Sequence, residues 1–566
     1  MRVLFPRGGR HRRRRRAARA TLLAAVPVAV LVAVWSLPLV PAPPAVAAPV
    51  PTVLREVPVA PGALLSGVAG GGLRAERGGA LQALRALAAA PRVVCPGIGF
   101  NAFGVTWSQW GSPRGAVSAD VWTAGGSATA AARSLAVPGS GPSPPRVAAP
   151  AVVTDDQVAE GPDPNSPEFH PHRRATEVLW VGQATCARFV LHLPAGVRVL
   201  DVRAVFLNTM GNADGGPPRG LTPPPPAAGP GTAQAMTLQP PIITRAQWGA
   251  NERWRNCFMG YAPALKMAFV HHTDNGNGYA PWQSAGLVRA IYAYHTEVNG
   301  WCDIGYNFLV DRYGRIFEGR WGGMTQPVIP AATMGFNTGS VAVAAIGDFQ
   351  VARPPAVMIS AIERLLAWRM DVGHVDPYGK VWMRSWGGLG NKFRVGRWVD
   401  LGHVSGHRDA NYTDCPGDYL YWDLGGIRSA AYAIGLPKIF APTQSVAHFL
   451  PGAGSVTFGA TGSTSLAWQF QIVDPSGNVV FASTSSGPTF SSMWSGAGPG
   501  GAFLPPGVYT ATLAGMSGSA AALSATFTVT LDAPPPPSPS PSPSPSPSPS
   551  PSGSPPPPTP SPTASP

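Results

Sequence analysis

Residues 266–273 read Lys-Met-Ala-Phe-Val-His-His-Thr, a short apolar run that ends in two histidines. A run of this length and composition is typical of a strand buried inside a protein. It predicts a buried strand over Lys266 to His271, with His272 directly after it. Two imidazoles at the end of a buried strand are candidates for a functional site.

The residues around this strand alternate between helical and strand-like patterns. Apolar residues at helical spacing and short apolar runs predict further elements: helices over 284–298, 355–372 and 418–434, and strands over 304–311 and 340–346. Alternating strands and helices are typical of a sheet that is covered by helices. We therefore expect residues 240–437 to form a central α/β domain with a mixed β-sheet.

The region before this domain has a different pattern. Residues 49–222 contain runs rich in Val, Phe and Trp, separated by loops of Gly, Pro and Ser, and few helical patterns. They are expected to form a mainly-β accessory domain. A Pro/Gly-rich linker is expected over 223–239. The protein is therefore interpreted as a multidomain chain.

The C-terminal region is almost free of charge and ends in a low-complexity tail. Residues 443–532 alternate in the manner of strands. They resemble the small β-sandwich of FlgD-like or bacterial immunoglobulin-like modules through the DPSG turn (474–477), Trp494-Ser495-Gly496 and PPGVYTATL (505–513). Residues 533–566 are rich in Pro and Ser, a composition that forms no core, and are expected to be a disordered spacer.

The N-terminal residues concentrate the positive charge in a pattern typical of export. The chain has 566 residues, with 42 Lys and Arg against 28 Asp and Glu, a formal net charge of +14. Nine Arg lie in residues 1–19, and an uncharged apolar stretch then leads to small residues around Ala47 and Ala48. This order predicts a secretory signal peptide over 1–48. An uncleaved membrane anchor is the alternative.

Removal of the signal peptide changes what the charge implies. Without those nine Arg, 33 basic and 28 acidic residues remain, an excess of only +5. A strongly basic chain favours nucleic acid as a partner, but so dilute an excess does not. We expect a secreted, extracellular protein that binds no nucleic acid, contacts no membrane after signal cleavage and acts as a monomer.

The five cysteines fit an oxidising exterior, where disulfides persist. Cys95 and Cys186 lie in the first region, and Cys257 and Cys302 lie in the central domain. This distribution favours the disulfides Cys95–Cys186 and Cys257–Cys302, although four cysteines allow three connectivities. Cys415 is the odd one, and a metal would give its thiol a role.

Four motifs of the central domain carry residues suited to chemistry: FVHHT (269–273), WCDIGYNFLV (301–310), RIFEGR (315–320) and GHRDANYTDCPG (406–417). Each alone has an ordinary structural explanation, such as a hydrogen-bonded histidine, half of a disulfide or a loop. Together they favour a metal site, because imidazole nitrogen and cysteine thiolate suit Zn²⁺. Two His and one Cys leave a fourth position for water, which is the pattern of catalytic zinc sites.

With these motifs, residues 242–436 resemble the peptidoglycan recognition protein and type-2 N-acetylmuramoyl-L-alanine amidase family in its actinobacterial secreted form. The resemblance also rests on RAQWGA (245–250) and GFNTGSVAVAAIGDF (335–349). The preceding region is similar to the β-rich segment before such amidases, through GVTW, GPDPNSPEF (161–169) and LWVG.

The resemblance implies a set of site residues. Active family members hold zinc on the first His of HHT, the His of GHRD and the Cys before Pro-Gly, which correspond to His271, His407 and Cys415. The implied catalytic residues are Tyr306 of GYNF and Thr413, two residues before the Cys. Family members that only bind peptidoglycan typically lack the Cys, so Cys415 favours hydrolysis.

Further residues of these motifs are expected to have supporting roles. Arg320 and Trp321 are expected to line the groove for the stem peptide, since Arg pairs with carboxylates in a bidentate manner. His272 and Asp409 are expected to support the ligands from behind. Related sequences read GAHT before GFNTGS, whereas this chain has Ala332 at the His position. That position is not a zinc ligand, so the change bears on substrate contacts.

The implied activity is zinc-dependent hydrolysis of the amide bond between N-acetylmuramic acid and L-alanine in peptidoglycan. Zinc would activate a water and polarise the carbonyl, while Tyr306 and Thr413 would donate hydrogen bonds to the developing oxyanion or steer the attacking water. The alternative is a non-catalytic peptidoglycan-binding protein of the cell wall. Under both hypotheses the partner is peptidoglycan, through its stem peptide and glycan, and the protein is associated with the cell wall.

Overall fold

The structure is a computed structural model, and it describes residues 49–59, 92–110, 118–125, 151–154, 160–169, 174–192, 198–212, 237–535 and 553. The predicted signal peptide, most of the predicted linker and nearly all of the Pro/Ser tail lie outside these residues. The described residues belong to one compact unit, 47–566. Among them, no helix combines the length and the apolar character needed to cross a membrane.

The described residues up to 212 form nine strands: β1 (Val53–Pro58), β2 (Arg92–Val94), β3 (Phe100–Trp110), β4 (Ser118–Ala124), β5 (Ala151–Thr154), β6 (Arg174–Ala175), β7 (Leu179–Ala184), β8 (Cys186–His192) and β9 (Arg198–Asn208). One sheet has the order β1–β9–β3–β6, with β7 also on β3, and the other has the order β2–β8–β4–β5. Both are antiparallel.

The apolar pattern of this region has a simple origin in the sheet. Phe103, Val105 and Trp107, at alternate positions of β3, point into one core together with Phe189 and Phe206. Side chains two residues apart lie on the same face of a strand, so this spacing buries all three. The predicted disulfide between Cys95 and Cys186 is present in this region.

The central region contains most of the helices. Its elements are β10 (Ile242–Ile243), α1 (Arg245–Trp248), β11 (Met267–His272), α2 (Ser284–Ala293), β12 (Phe308–Val310), β13 (Ile316–Glu318), β14 (Ser340–Ala345), α3 (Ala356–Val372), β15 (Lys380–Arg384), β16 (Trp398–Gly402), β17 (Val404–Gly406) and α4 (Asp418–Ala433). Single 3₁₀ turns cover Glu252–Trp254, Pro281–Gln283 and His407–Asp409, and a π-helical turn covers Tyr294–Val298.

Six of these strands form the mixed sheet that was expected. Their order is β10–β13–β12–β14–β11–β17, and β15 pairs with β16 in a separate hairpin. Strand β12 is antiparallel to β13, whereas the other pairs of the sheet are parallel. The strand predicted over Lys266 to His271 is therefore β11, which lies inside the sheet between β14 and β17.

Helices cover both faces of this sheet. On one face, Val341 and Val343 of β14 share a core with Leu365 of α3 and Leu424 of α4. On the other face, Ala344 of β14 shares a core with residues of α2. Because alternate residues of one strand contribute to two different cores, the runs 267–270 of β11 and 341–345 of β14 are apolar without interruption.

Two predicted elements differ from those in the structure. The helix expected over 284–298 is α2 followed by the π-helical turn. The strand expected over 304–311 is only Phe308–Val310. At Asn307, directly before this strand, the backbone amide still donates to the Ala342 carbonyl over 3.0 Å, but the side-chain Oδ1 rather than the backbone carbonyl accepts from the Ala342 amide, over 2.8 Å.

The N-terminal sheets and the central domain share a hydrophobic core. Val205 and Leu207 of β9 belong to the same cluster as Leu287 and Ile291 of α2. At Gly104 of β3, a methyl group would collide with a ring of the central domain, so only glycine permits this close approach. The boundaries at 222 and 240 stay predictions, but packing does not separate the two regions.

The C-terminal strands are β18 (Ile439–Gln444), β19 (His448–Phe449), β20 (Val456–Val473), β21 (Val479–Trp494), β22 (Gly507–Ser517), β23 (Ala520–Ala521) and β24 (Ala525–Leu531). They enclose a core that includes Trp468, Trp494 and Tyr509. Hydrogen bonds join all seven into a single sheet, whereas two facing sheets were expected. The register of β20 shifts between Thr461 and Leu466, an irregularity of the kind that bends a strand.

Candidate metal centre

Two parallel strands bring the first two candidate ligands together. In the pairing of β11 with β17, Val270 lies opposite Gly406, so the next residues lie side by side: His271 near the end of β11 and His407 directly after β17. Their ring centroids are 4.7 Å apart. Both side chains are fully buried. The FVHHT and GHRD motifs therefore meet because the ends of parallel strands align.

The loop between β17 and α4 supplies Cys415. The Arg408 amide donates to the Cys415 carbonyl over 2.9 Å, which folds the loop back on itself. The Cys415 Sγ then lies 3.7 Å from Nδ1 of His271. It also accepts from the His272 amide over 3.3 Å, a contact that favours the thiolate. These two contacts join Cys415 to residues that lie 143 and 144 positions earlier in the chain.

A fourth candidate ligand comes from the N-terminal region and was not predicted. Oε1 of Glu160 lies 3.7 Å from Nδ1 of His271 and 3.8 Å from Nδ1 of His407. Its Oε2 accepts a hydrogen bond from the Tyr306 hydroxyl over 2.8 Å. The one available signal was position, since Glu160 directly precedes the GPDPNSPEF motif.

The donor set fits a tetrahedral metal ion. One nitrogen or sulfur atom from each of His271, His407 and Cys415 and one oxygen from Glu160 all lie within 4.8 Å of one another. Ligand bonds of ~2.0–2.3 Å to zinc require donor atoms separated by about 3.3–3.8 Å in a tetrahedron. Three of the six distances between pairs of these donors are 3.7, 3.7 and 3.8 Å, at the upper end of this range.

Burial controls the protonation of these groups. It lowers the pKa of His271 to about 3, so the imidazole is neutral, which is the form that binds metals. It raises the pKa of Glu160 to about 8 and that of Tyr306 well above 10, so both side chains carry protons at pH 7. A bound cation would favour the ionised carboxylate of Glu160. The Tyr306 hydroxyl stays a hydrogen-bond donor.

Residue 333 orients the first ligand. The hydroxyl of Thr333 lies 3.2 Å from Nε2 of His271, which leaves Nδ1 directed at the other donors. The turn that carries Thr333 is held by Asn337, whose Oδ1 accepts from the amides of Ala332 and Thr333 over 2.9 Å each. Ala332, the departure from the family pattern, is buried in this turn.

Comparison with known proteins shows which protein family the region around the candidate ligands resembles. Residues 261–418 match the N-acetylmuramoyl-L-alanine amidase family. The central domain belongs to the peptidoglycan recognition protein and type-2 amidase family. The matched residues include His271, Tyr306, His407 and Cys415, whereas Glu160 lies outside them.

Animal proteins are among the relatives of this amidase-family domain. Peptidoglycan recognition protein 1 of Bos taurus is 27% identical over 181 residues, which are 32% of this chain and 80% of the relative. Peptidoglycan-recognition protein LB of Drosophila melanogaster is 28% identical over 185 residues, 32% and 67% of the two chains. The solved structure of wild-type Drosophila PGRP-LB is 25% identical, covers 32% of this chain and 92% of its own, and has a TM-score of 0.26, too low to bear on the fold.

The supporting residues of the amidase-family domain make backbone contacts. Nδ1 of His272 accepts from the Phe349 amide over 3.2 Å. Asp409 accepts from the Gly406 amide over 2.9 Å and from a tyrosine hydroxyl of α4 over 2.6 Å, so it holds the loop that carries His407. Oγ1 of Thr413 accepts from the Cys415 amide over 3.0 Å, a contact that shapes the ligand loop. Its catalytic role stays a prediction.

The two residues expected in the substrate groove of the amidase-family domain differ in exposure. Arg320 is buried, and its guanidinium forms an ion pair with Glu168. Trp321 is 43% exposed, and the guanidinium carbon of Arg255 lies 4.1 Å from the centre of its ring. The second predicted disulfide, Cys257–Cys302, is present in the same domain.

Proposed function

We propose that this chain is a secreted zinc-dependent N-acetylmuramoyl-L-alanine amidase. The observation that carries the proposal is the buried cluster of His271, His407 and Cys415 inside the residues that match the amidase family. A thiol and two imidazoles at these distances suit Zn²⁺, and three protein ligands with one exchangeable position are typical of hydrolytic zinc sites.

The reaction follows from this donor set. When bound, zinc would lower the pKa of a water and polarise the lactyl carbonyl of N-acetylmuramic acid. The water oxygen adds to the carbonyl carbon, the bond to the L-alanine nitrogen breaks, and the proton from water ends on the released amine. His271, His407 and Cys415 would hold the metal, and the thiolate of Cys415 is stabilised by the His272 amide.

Tyr306 is proposed to stabilise the oxyanion. Its hydroxyl lies beside the candidate ligands, with its ring centroid 5.5 Å from that of His271. Because burial keeps the phenol protonated, Tyr306 can donate a hydrogen bond to negative charge that develops on the carbonyl oxygen. Thr413, which shapes the ligand loop, is proposed to assist through that loop.

The proposed substrate is peptidoglycan outside the cell. The relatives of the central domain are named for peptidoglycan recognition, which supports the same polymer here. The N-terminal pattern of Arg, apolar and small residues supports export, and the two disulfides suit an oxidising compartment. Association with the cell wall follows from the substrate.

A digest of purified peptidoglycan tests the proposal. The zinc-loaded full chain should release stem peptides with a free L-alanine amine, identified by mass spectrometry, and the Cys415→Ser variant should release none. The Glu160→Gln variant is assayed in parallel, since Glu160 lies against the ligand atoms. A chain that binds zinc and peptidoglycan but gives no such product, with or without Glu160, would be a recognition protein.

A further inference from the structure

Residues Glu160–Phe169, here named the 160–169 segment, lie across the candidate metal centre although they belong to the N-terminal region. Glu160 and Asp163 are both buried. The segment is compact, since the Ser166 amide donates to the Asp163 carbonyl over 2.7 Å and the Phe169 amide donates to the Ser166 carbonyl over 3.1 Å. Three carboxylates and one backbone carbonyl of the segment bond to the central domain, at three separate points.

The first point of attachment is the metal centre itself. Oε1 of Glu160 is within 3.8 Å of Nδ1 of both His271 and His407, and Oε2 accepts from Tyr306. This carboxylate therefore takes the position that a catalytic zinc site keeps for water. Glu160, His271, His407 and Cys415 are each 5% exposed or less, so the donor set is closed to solvent.

The second point of attachment is the turn that orients His271. Oδ1 of Asp163 accepts from the Gly335 amide and from the side-chain amide of Asn337, each over 2.7 Å. The Asn337 side chain also donates to the Gly161 carbonyl over 2.9 Å. Gly161 has a φ of +122°, a backbone conformation that residues other than glycine rarely adopt. These bonds fix Glu160 in place.

The third point of attachment is the arginine that was expected to bind the stem peptide. Oε1 of Glu168 pairs with the guanidinium of Arg320, and its Oε2 accepts from the Cys302 amide over 3.1 Å. The Arg320 side chain is fully buried and that of Glu168 is 10% exposed. A carboxylate of a stem peptide could reach Arg320 only after Glu168 had left.

We propose that the 160–169 segment is a built-in plug that imitates the substrate and keeps the site closed. Glu160 is the fourth metal ligand, and Glu168 occupies the arginine site for a peptide carboxylate. Glu160 competes with water for the fourth metal position, and Glu168 competes with a peptide carboxylate for Arg320, so the chain hydrolyses its substrate only slowly until the segment is displaced. This inference rests on the proposed function, because it takes the site to be one for a peptide substrate.

The first test uses the metal alone and a small anionic ligand. The full chain is loaded with Co²⁺ and titrated with acetohydroxamate, while the visible spectrum reports entry of the hydroxamate into the metal shell. The Glu160→Gln variant should bind it at least about 10-fold more tightly than the wild type, because a closed state lowers apparent affinity by the open fraction. The Asn165→Ala variant is the matched control, since Asn165 is exposed in the same segment, and it should match the wild type.

The second test addresses the arginine site and needs no turnover. A synthetic stem peptide with free carboxylates should bind the Glu168→Gln variant at least about 10-fold more tightly than the wild type, by calorimetry. Adding Arg320→Gln to that variant should remove the gain. This measurement also tests the plug if the Glu160→Gln variant does not retain cobalt.

The outcomes separate the plug from the proposed reaction. Equal hydroxamate affinity in the wild type and Glu160→Gln, or equal peptide affinity in the wild type and Glu168→Gln, would overturn the plug. A double variant that carries both Glu160→Gln and Glu168→Gln is then tested for turnover. If both affinities rise but this zinc-loaded double variant releases no stem peptide, the plug stands and the hydrolase proposal fails. If products form at equal rates in the wild type and the double variant, the hydrolase stands and the plug fails.

Discussion

The hydroxyl of Tyr306 donates a hydrogen bond of 2.8 Å to Glu160, a residue 146 positions earlier in the chain. One partner lies in the amidase-family domain and the other in the N-terminal region. The candidate catalytic tyrosine is thus held by the same carboxylate that lies against two candidate metal ligands.

The Tyr306→Phe variant separates catalysis from metal binding. Removal of the hydroxyl deletes the proposed oxyanion donor, and loss of one such donor costs about 10²–10³ in kcat. We expect release of stem peptides from peptidoglycan to fall by about this factor in the zinc-loaded Tyr306→Phe variant. Zinc content should stay at about one ion per chain, measured by elemental analysis. Unchanged turnover would remove Tyr306 from the mechanism.

Metal removal should destabilise the central domain. A ligand that binds only the folded state adds RT ln(1 + [L]/Kd) to stability, so chelation should lower the melting temperature of the wild type, and added Zn²⁺ should restore it. In the Cys415→Ser variant, zinc should raise the melting temperature much less than in the wild type. A melting temperature that changes with neither chelator nor added zinc would argue against the metal site.

The Thr333→Val variant tests the contact behind His271. The hydroxyl of Thr333 lies 3.2 Å from Nε2 of His271, and loss of a group that orients a metal ligand typically lowers metal affinity about 10–100-fold. A competition titration with a zinc-binding dye measures this change. Thr325→Val is the control, because Thr325 is exposed, and its zinc affinity should equal that of the wild type.

The disulfide Cys257–Cys302 closes a loop with a sequence separation of 45 residues. Because a cross-linked loop of this length lowers the conformational entropy of the unfolded chain, replacing both cysteines with Ala should lower the free energy of unfolding by about 2–4 kcal/mol. Denaturant unfolding of the oxidised chain provides the measurement. If the double variant unfolds at the same denaturant midpoint as the wild type, the bond contributes little.

Lys438 predicts a pH dependence of stability. Its side chain is fully buried, its Nζ donates to the Ala431 carbonyl over 2.7 Å, and burial lowers its pKa to about 8 from 10.5. Between about pH 8 and 10.5 the unfolded chain binds more protons than the folded chain. The free energy of unfolding should therefore rise with pH in this window, by up to about 3 kcal/mol.

Replacement of the ammonium group tests this prediction. In the Lys438→Met variant, the free energy of unfolding should rise less between about pH 8 and 10.5 than in the wild type. The variant should also be more stable than the wild type at pH 7. Denaturant unfolding at several pH values between 7 and 10.5 measures both effects. Parallel pH profiles for the two proteins would show that Lys438 does not cause the slope.

The mixed sheet and the cluster of candidate metal ligands could be predicted because they depend on local patterns. The apolar run before His271 predicts a strand, and the motifs around His407 and Cys415 are specific in spacing. Glu160 could not be found in this way. Its approach to the ligands depends on the bonds that Asp163 and Glu168 make to the central domain, a long-range fit without a periodic signal. The turn of Thr333 was missed for the same reason, since it is formed by the side chain of Asn337 rather than by a repeating pattern.

The shared core has a practical consequence for the purification of the central domain alone. Arg289 of α2 is buried, and its Nε donates to the Thr209 carbonyl over 2.8 Å, while the Thr209 hydroxyl donates to the Gly286 carbonyl over 2.8 Å. A truncated chain starting at residue 240 would lose both bonds and expose the apolar side of α2 to water. Poor solubility of such a fragment would reflect the loss of the N-terminal strands that cover α2. A fragment should therefore include those strands and not begin at the boundary of the family match.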